Sequence, residues 1–134
     1  MSDLPSPAPY TTPETEAYWQ AAGEGRLLLG YCVDCEAHFY YPRRQCPFCF
    51  GGDVEYVEAE GTGTVYARTV VRQTRGEYAE STPYVLAYVE LEEGPRMLTN
   101  VVETDPGDVD VGDRVEVTFD PAGGDLALPR FRPV

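Results

Sequence analysis

Residues 32–49 read CVDCEAHFYYPRRQCPFC and contain all four cysteines of the chain. Cys32 and Cys35 form one C-x2-C pair, Cys46 and Cys49 form another, and ten residues lie between the pairs. A tight turn of this kind lets two thiolates approach one ion, and two such turns complete a tetrahedral site. The spacing therefore predicts one metal ion bound by these four residues, with zinc favoured over iron.

Other uses of the cysteines agree less well with the sequence. Two disulfides are typical of a secreted protein, but the chain shows no secretion signal and a cytoplasmic protein is expected. A redox dithiol uses one such pair at the start of a helix. His38, the single histidine, could replace a thiolate. Because four cysteines already fill a tetrahedral site, His38 is instead expected to face solvent from a strand.

Short apolar segments on either side of these turns predict strands at residues 26–31, 38–41 and 54–57. Two metal turns carried by short strands are typical of a zinc ribbon. So small a unit has too little core to fold without its ion.

From Gly61 onward, the apolar residues recur with a period of two, which indicates strands. The alternation in the first of them places Val65, Ala67, Thr69 and Val71 on one face. Five short strands are predicted, at residues 65–72, 84–91, 97–101, 115–119 and 126–131. Five antiparallel strands fit a closed OB-type barrel better than a sandwich, which needs about seven.

The N-terminal segment predicts one short helix. Either threonine of the Thr11-Thr12-Pro13-Glu14 sequence can cap it, and Gly23 is expected to end it. Tyr18, Trp19 and Ala22 form its apolar side, and Trp19 is expected to dock the helix rather than to bind a ligand. The chain is thus expected to be all-β apart from this helix. Its expected units are 1–24 (tail and docking helix), 25–58 (zinc ribbon) and 59–134 (barrel).

Acidic residues outnumber basic ones 23 to 10, which gives a net charge of −13. Such a field repels a polyanion, so no nucleic-acid partner is expected. No apolar run approaches the ~20 residues of a membrane helix, so no membrane partner is expected either. All ten basic residues are arginine, which excludes Schiff-base chemistry on a lysine.

Common catalytic sets are also missing from the sequence. There is one histidine, no cysteine remains once a metal is bound, and Ser2, Ser6 and Ser81 lie in the tail or a loop. A zinc ion held by four thiolates has no open position for chemistry. No catalytic residue is predicted, and a non-catalytic subunit is expected.

Four motifs occur in order: GRLLLxYCxxC, FYYPRxxCPxC, GxGTVYxRT and VxVGDRVxVxF. Together they resemble the zinc-ribbon/OB-fold family long called domain of unknown function 35, over Tyr10 to about Pro133. The resemblance implies an N-terminal helix, a rubredoxin-like ribbon and an OB barrel. It also implies a partner of acyl-CoA enzymes, mainly thiolase-superfamily proteins and some hydratases. The family usually has glycine after each metal turn, where this chain has Glu36 and Phe50. Positive φ strains such side chains, so the turns are expected to differ in detail.

In actinobacteria, relatives in this family act with the aldolase and hydratase that remove the steroid side chain. The most specific expectation is therefore an accessory subunit of a thiolase-like aldolase. That enzyme would cleave a steroid side-chain coenzyme A thioester by a retro-aldol reaction, with its catalytic residues on the partner. The surface for that partner is expected to include Tyr18, Trp19, Tyr84, Leu86 and Tyr88, since aromatic anchors dominate interfaces.

Half of the arginines form two clusters, Arg43 with Arg44 and Arg68 with Arg72 and Arg75. Arg68 and Arg72 share strand parity and are expected on one face. Given the resemblance, Arg43, Arg44, Arg68 and Arg72 are candidates for binding the phosphates of coenzyme A. The alternative is that they only pair with nearby glutamates.

Two other functions stay open. The barrel could be a protein adaptor or could bind single-stranded nucleic acid by stacking bases on Tyr66, Tyr84 and Tyr88. The net charge of −13 argues against the nucleic acid. With iron in place of zinc, the ribbon could carry electrons, and visible absorbance would reveal it.

Overall fold

The computed structural model describes residues 2–134; Met1, the first residue of the predicted N-terminal unit, lies outside the described residues. Helix α1 covers Glu16–Gly23. The strands are β1 (Leu28–Cys32), β2 (Ala37–Phe39), β3 (Val54–Glu58), β4 (Thr62–Val71), β5 (Tyr84–Leu91), β6 (Arg96–Val101), β7 (Arg114–Pro121) and β8 (Ala127–Pro133). The predicted fold is confirmed: a helix, a ribbon and a closed five-stranded barrel follow one another along the chain.

The ribbon is a three-stranded antiparallel sheet in the order β2-β1-β3. Gly30, in the central strand, lies under the ring of Phe39, where a Cβ would come within 2.2 Å of the ring. Strand β2 is shorter than predicted and ends at Phe39. Tyr40 and Tyr41 leave the strand because their side chains pack against α1.

The barrel closes in the order β4-β5-β6-β8-β7, with β7 paired to β4. All neighbouring strands are antiparallel except β6 and β8. In β5 the alternation predicted from the sequence is confirmed, because Val85, Ala87, Val89 and Leu91 are all buried. These side chains form the centre of the barrel core.

A bulge at Tyr66 breaks the alternation predicted for β4. Val65 pairs with Val89, and Ala67 pairs with Tyr88, which leaves Tyr66 without an opposite residue. An extra residue in one strand reverses which side chains face inward. The single face predicted for alternate residues of this strand is therefore wrong beyond Val65.

The helix begins later than predicted, at Glu16, and neither Thr11 nor Thr12 caps it. Thr12 and Thr15 instead form a turn, in which the Thr15 N–H donates to the Thr12 carbonyl at 3.0 Å. Thr15 occupies the position before the helix with no side-chain cap. Pro13 therefore lies in this turn and not in the first turn of the helix.

Helix α1 joins the ribbon to the barrel. It packs against β1 in the ribbon and against β7 and β8 in the barrel. Tyr18 is fully buried, and its ring meets those of Trp19, Tyr40 and Tyr41 edge-on at 4.8–5.8 Å. Burial, together with the Tyr40 and Tyr41 hydroxyls, raises the pKa of Tyr18 well above its ordinary value. The Trp19 Nε1–H donates to the Tyr41 hydroxyl at 2.7 Å.

Candidate functional site

Two turns of the same design bring the four cysteines together at one end of the ribbon. In the first, the Glu36 N–H donates to the Cys32 carbonyl at 2.8 Å, and in the second the Phe50 N–H donates to the Cys46 carbonyl at 3.0 Å. The first turn links β1 to β2, and the second lies between β2 and β3.

The sulfur geometry suits one tetrahedral ion. All four Sγ atoms lie within 4.8 Å of one another. Two of the separations are 3.5 Å for Cys32 and Cys49 and 3.6 Å for Cys35 and Cys46. A zinc ion about 2.3 Å from each of four sulfurs requires separations of roughly 3.8 Å. These residues therefore fit zinc, with all positions taken by thiolates.

Backbone N–H groups point at the sulfurs of the second turn. Those of Phe48 and Cys49 donate to Cys46 Sγ at 3.4 and 3.5 Å, and that of Gly51 donates to Cys49 Sγ at 3.4 Å. Burial raises the pKa of the Cys46 thiol, but the Cys49 and Phe48 N–H donors, together with the Cys35 and Cys49 side chains, outweigh it and lower that pKa to about 7. These contacts favour the thiolate, the form that binds metals, at Cys46.

The residues after the two turns take the left-handed conformation usual for glycine. The φ angles are 57° at Glu36 and 63° at Phe50. The prediction that these turns differ from those of the family is therefore wrong for the φ angle. The turns keep a conformation that costs a side chain about 1–2 kcal/mol. Both side chains are exposed, so burial does not offset that cost.

His38 is outside the four-sulfur cluster. It is half-buried rather than solvent-facing, and its ring lies 4.9 Å from that of Tyr31. It lines a cleft of about 320 Å³ between the ribbon and the β5–β6 turn, together with Arg43, Phe48 and Arg96.

The structure leaves the two arginine clusters on different units. Arg43 and Arg44 are exposed residues of the ribbon, and Arg68 and Arg72 belong to the barrel. Arg72 lies just beyond the end of β4, so the shared strand parity predicted for it and Arg68 does not apply. Neither Arg68 nor Arg72 lines the cleft of Arg43.

Three of the four arginines proposed to bind coenzyme A have no carboxylate partner among the described residues, although the alternative, in which they only pair with nearby glutamates, requires one. Arg68 approaches Asp110 at 3.9 Å. Within residues 2–134, Arg43, Arg44 and Arg72 make no ion pair. The backbone N–H of Arg44 donates to Glu14, but its guanidinium does not.

Sequence reasoning missed a buried ion pair in the barrel. Arg130 Nη1 lies 2.5 Å from Asp120 Oδ2, and both side chains are almost fully buried. The Ser2 N–H and hydroxyl donate to Asp120, and Arg130 donates to the Pro5 carbonyl, so the N-terminal segment lies over this pair. Burial raises the pKa of Asp120, but the hydrogen bonds from Ser2 and Arg130 outweigh it and lower that pKa. Alternation alone cannot show that a charged residue faces inward.

The predicted partner surface is partly wrong. Tyr18 and Trp19 are buried in the chain's own core and cannot anchor a partner. Tyr88 is exposed on the barrel. The Arg96 guanidinium lies 3.7 Å over the Tyr66 ring, and Tyr84 packs against Tyr78, so two of the proposed stacking rings already have intramolecular neighbours.

No helix within residues 2–134 is both long and apolar enough to cross a membrane.

Two family models match adjoining parts of the chain. A ChsH2 rubredoxin-like zinc ribbon domain matches residues 19–55, and a ChsH2 C-terminal OB-fold domain matches residues 56–120. A DUF35 domain-containing scaffold protein of Methanothermobacter thermautotrophicus is 34% identical over 108 residues, which cover 79% of this chain and 81% of the relative. This chain belongs to the DUF35 family.

Two further proteins resemble this chain. A probable enoyl-CoA hydratase alpha subunit of Thermomonospora curvata is 36% identical over 95% of this chain, which spans only 40% of that relative's length. A chain of the solved Ltp2-ChsH2(DUF35) aldolase has a TM-score of 0.81 and 36% identity, over 93% of this chain and 98% of that one. Both similarities extend over the ribbon and the barrel of the present DUF35 chain.

Proposed function

We propose that this chain is a non-catalytic accessory subunit of an acyl-CoA enzyme, either a thiolase-superfamily aldolase or lyase, or a hydratase. The observation that carries the proposal is the similarity to the DUF35 chain of an aldolase assembly, which covers nearly the whole of both chains. The hydratase alpha subunit from Thermomonospora supports the same class of partner.

The metal centre supports a structural role. Cys32, Cys35, Cys46 and Cys49 would hold a zinc ion that fastens the two turns together and leaves no position for substrate. The catalytic residues would then belong to the partner. We propose that residues 1–24, 25–58 and 59–134 form the three units of the chain. The ribbon (25–58) and the barrel (59–134) would support assembly of the complex with the enzyme.

We also propose that Arg43, Arg44, Arg68 and Arg72 bind the phosphates of coenzyme A in the complex. Exposed guanidinium groups without a carboxylate partner, as at Arg43 and Arg72, support this role. A titration of coenzyme A against the wild-type and Arg→Ala complexes tests it. Loss of one contact should weaken affinity roughly tenfold to a hundredfold, whereas equal affinities would place the whole coenzyme site on the partner.

A narrower proposal concerns the substrate. The motifs that resemble the actinobacterial partners of steroid side-chain enzymes suggest a steroid side-chain coenzyme A thioester, cleaved by a retro-aldol reaction on the partner. Turnover of such thioesters by the purified complex, compared with straight-chain acyl-CoA, tests this choice.

Co-expression tests the main proposal. The chain is produced with a thiolase-like or hydratase-like enzyme from the same organism, and the two are purified through a tag on this chain. We expect a stable complex, higher partner solubility or activity, and no turnover by this chain alone. Turnover by the isolated chain, or no association with the enzyme, would contradict the proposal.

A further inference from the structure

Phe50 combines two unfavourable features within the chain. Its φ is 63°, in the left-handed region that favours glycine, and its side chain is 70% exposed. An aromatic side chain at this position therefore strains the backbone and buries little apolar surface, so it does not stabilise the fold. Backbone strain clusters at functional sites. Among residues 2–134, the non-glycine residues at positive φ are Glu36, Phe50 and Glu103, and of these only Phe50 is aromatic.

Residues of the first turn and of the segment after Phe50 lie close to its backbone. Val33, in the first turn, is also exposed, and its N–H donates to the Asp53 carbonyl at 2.9 Å. The Asp34 carboxylate lies against the residue after Phe50, since a Cβ on Gly51 would be 2.9 Å from Asp34 Oδ2. We call Val33, Asp34, Phe50 and Asp53 the outer knuckle face.

The charge of this face indicates what it can bind. Asp34 and Asp53 are exposed, and neither pairs with an arginine in the part of the chain described. The chain carries −13 overall, so a second copy would be repelled. A basic protein surface would instead be attracted and correctly oriented.

We infer that the outer knuckle face docks into an apolar hollow rimmed by arginine or lysine on the partner enzyme. Phe50 fills the hollow, while Asp34 and Asp53 face its basic rim. This inference rests on the proposed accessory role and adds the surface and the chemistry by which the enzyme is bound.

Phe50→Gly separates docking from folding because glycine suits the observed φ. The test measures thermal unfolding, zinc content and affinity for the enzyme co-expressed with this chain. We expect Phe50→Gly to keep its zinc, to melt at or above the wild-type temperature, and to bind the enzyme about tenfold or more weakly. Asparagine also tolerates this φ, so Phe50→Asn should give the same results. If Phe50→Gly has a folding defect of its own, Phe50→Asn still tests the docking face.

Glu36→Gly is the matched control, since Glu36 occupies the equivalent position of the first turn at φ 57°. It should also keep its zinc and melt no lower than wild type, but bind the enzyme with unchanged affinity. Asp34→Asn should weaken binding severalfold and reduce its salt dependence, whereas Asp108→Asn, a remote exposed carboxylate, should not.

The outcomes separate the two proposals. If the wild-type chain binds the enzyme and the Phe50→Gly variant binds it with the same affinity, the docking face is wrong and the accessory role remains. A wild-type chain that does not bind the enzyme would overturn the accessory role, and the docking face with it.

Discussion

The ribbon and the barrel of this chain are both made of strands, but they are stabilised in different ways. The barrel strands are mostly 6–10 residues long and enclose a continuous core, in which Val65, Val89, Val115 and Phe131 are fully or almost fully buried. The ribbon strands have only 3–5 residues, and two of the ribbon's buried side chains are cysteines. We therefore expect apolar burial to suffice for the barrel, and we expect the ribbon to depend on a metal and on the packing of α1.

Loss of one thiolate should have the largest effect on the ribbon. Cys46→Ser removes a buried ligand and should lower stability by several kcal/mol, because binding of structural zinc contributes roughly 10–16 kcal/mol in small zinc modules. Elemental analysis and thermal unfolding measure the result. His38→Ala is the control and should keep the metal. A Cys46→Ser protein with unchanged zinc content and stability would contradict this role.

The barrel has its own sensitive point, the buried pair of Arg130 and Asp120. Arg130→Met leaves a buried carboxylate without its cation and should cost about 3–5 kcal/mol. Arg132 lies on the same strand as Arg130 and makes exposed ion pairs with Glu116 and Glu103, so Arg132→Met should cost less than about 1 kcal/mol. Urea unfolding of both variants measures the free energy of unfolding. Equal losses of that free energy would show that burial does not determine how much an ion pair contributes.

The contact between the helix and the ribbon should respond more weakly. Tyr41→Phe leaves the Trp19 indole N–H without its acceptor and should cost about 1–2 kcal/mol. Tyr88→Phe changes a hydroxyl on the exposed surface and should be neutral. Equal melting temperatures for the two variants would mean that this hydrogen bond does not fasten α1 to the ribbon.

The smallest effect is a gain in stability. Glu36→Gly relieves a left-handed side chain but adds freedom to the unfolded chain, so the net gain should be about 0.5 kcal/mol. Phe50→Gly should give a similar gain at the second turn. Chemical unfolding of the zinc-bound proteins measures it, and a loss of stability in both variants would show that these positions are not strained.

The barrel and the cluster of four cysteines could be predicted because their signals are local in the sequence. Alternation in β5 predicted its buried face, and the spacing of Cys32, Cys35, Cys46 and Cys49 predicted the sulfur cluster that the structure shows. A period of two and a pair of short turns both follow directly from backbone geometry.

Features that depend on distant contacts could not be predicted in this way. The bulge at Tyr66 depends on the pairing with β5, and one extra residue there was enough to invalidate the predicted face. The ion pair of Arg130 and Asp120 is buried partly by residues of the N-terminal segment, far away in sequence. Trp19 was correctly expected to dock the helix, but its apolar character could not distinguish the chain's own core from a partner surface.

Hydrogen exchange after removal of the metal tests most directly whether an ion stabilises the ribbon while the barrel is stable without it. The intact chain is treated with a chelator, and amide exchange is followed by mass spectrometry in residues 28–58 and 62–133. We expect the ribbon amides to lose protection while those of the barrel core keep it. Unchanged protection in the ribbon, or equal loss in both units, would contradict this division.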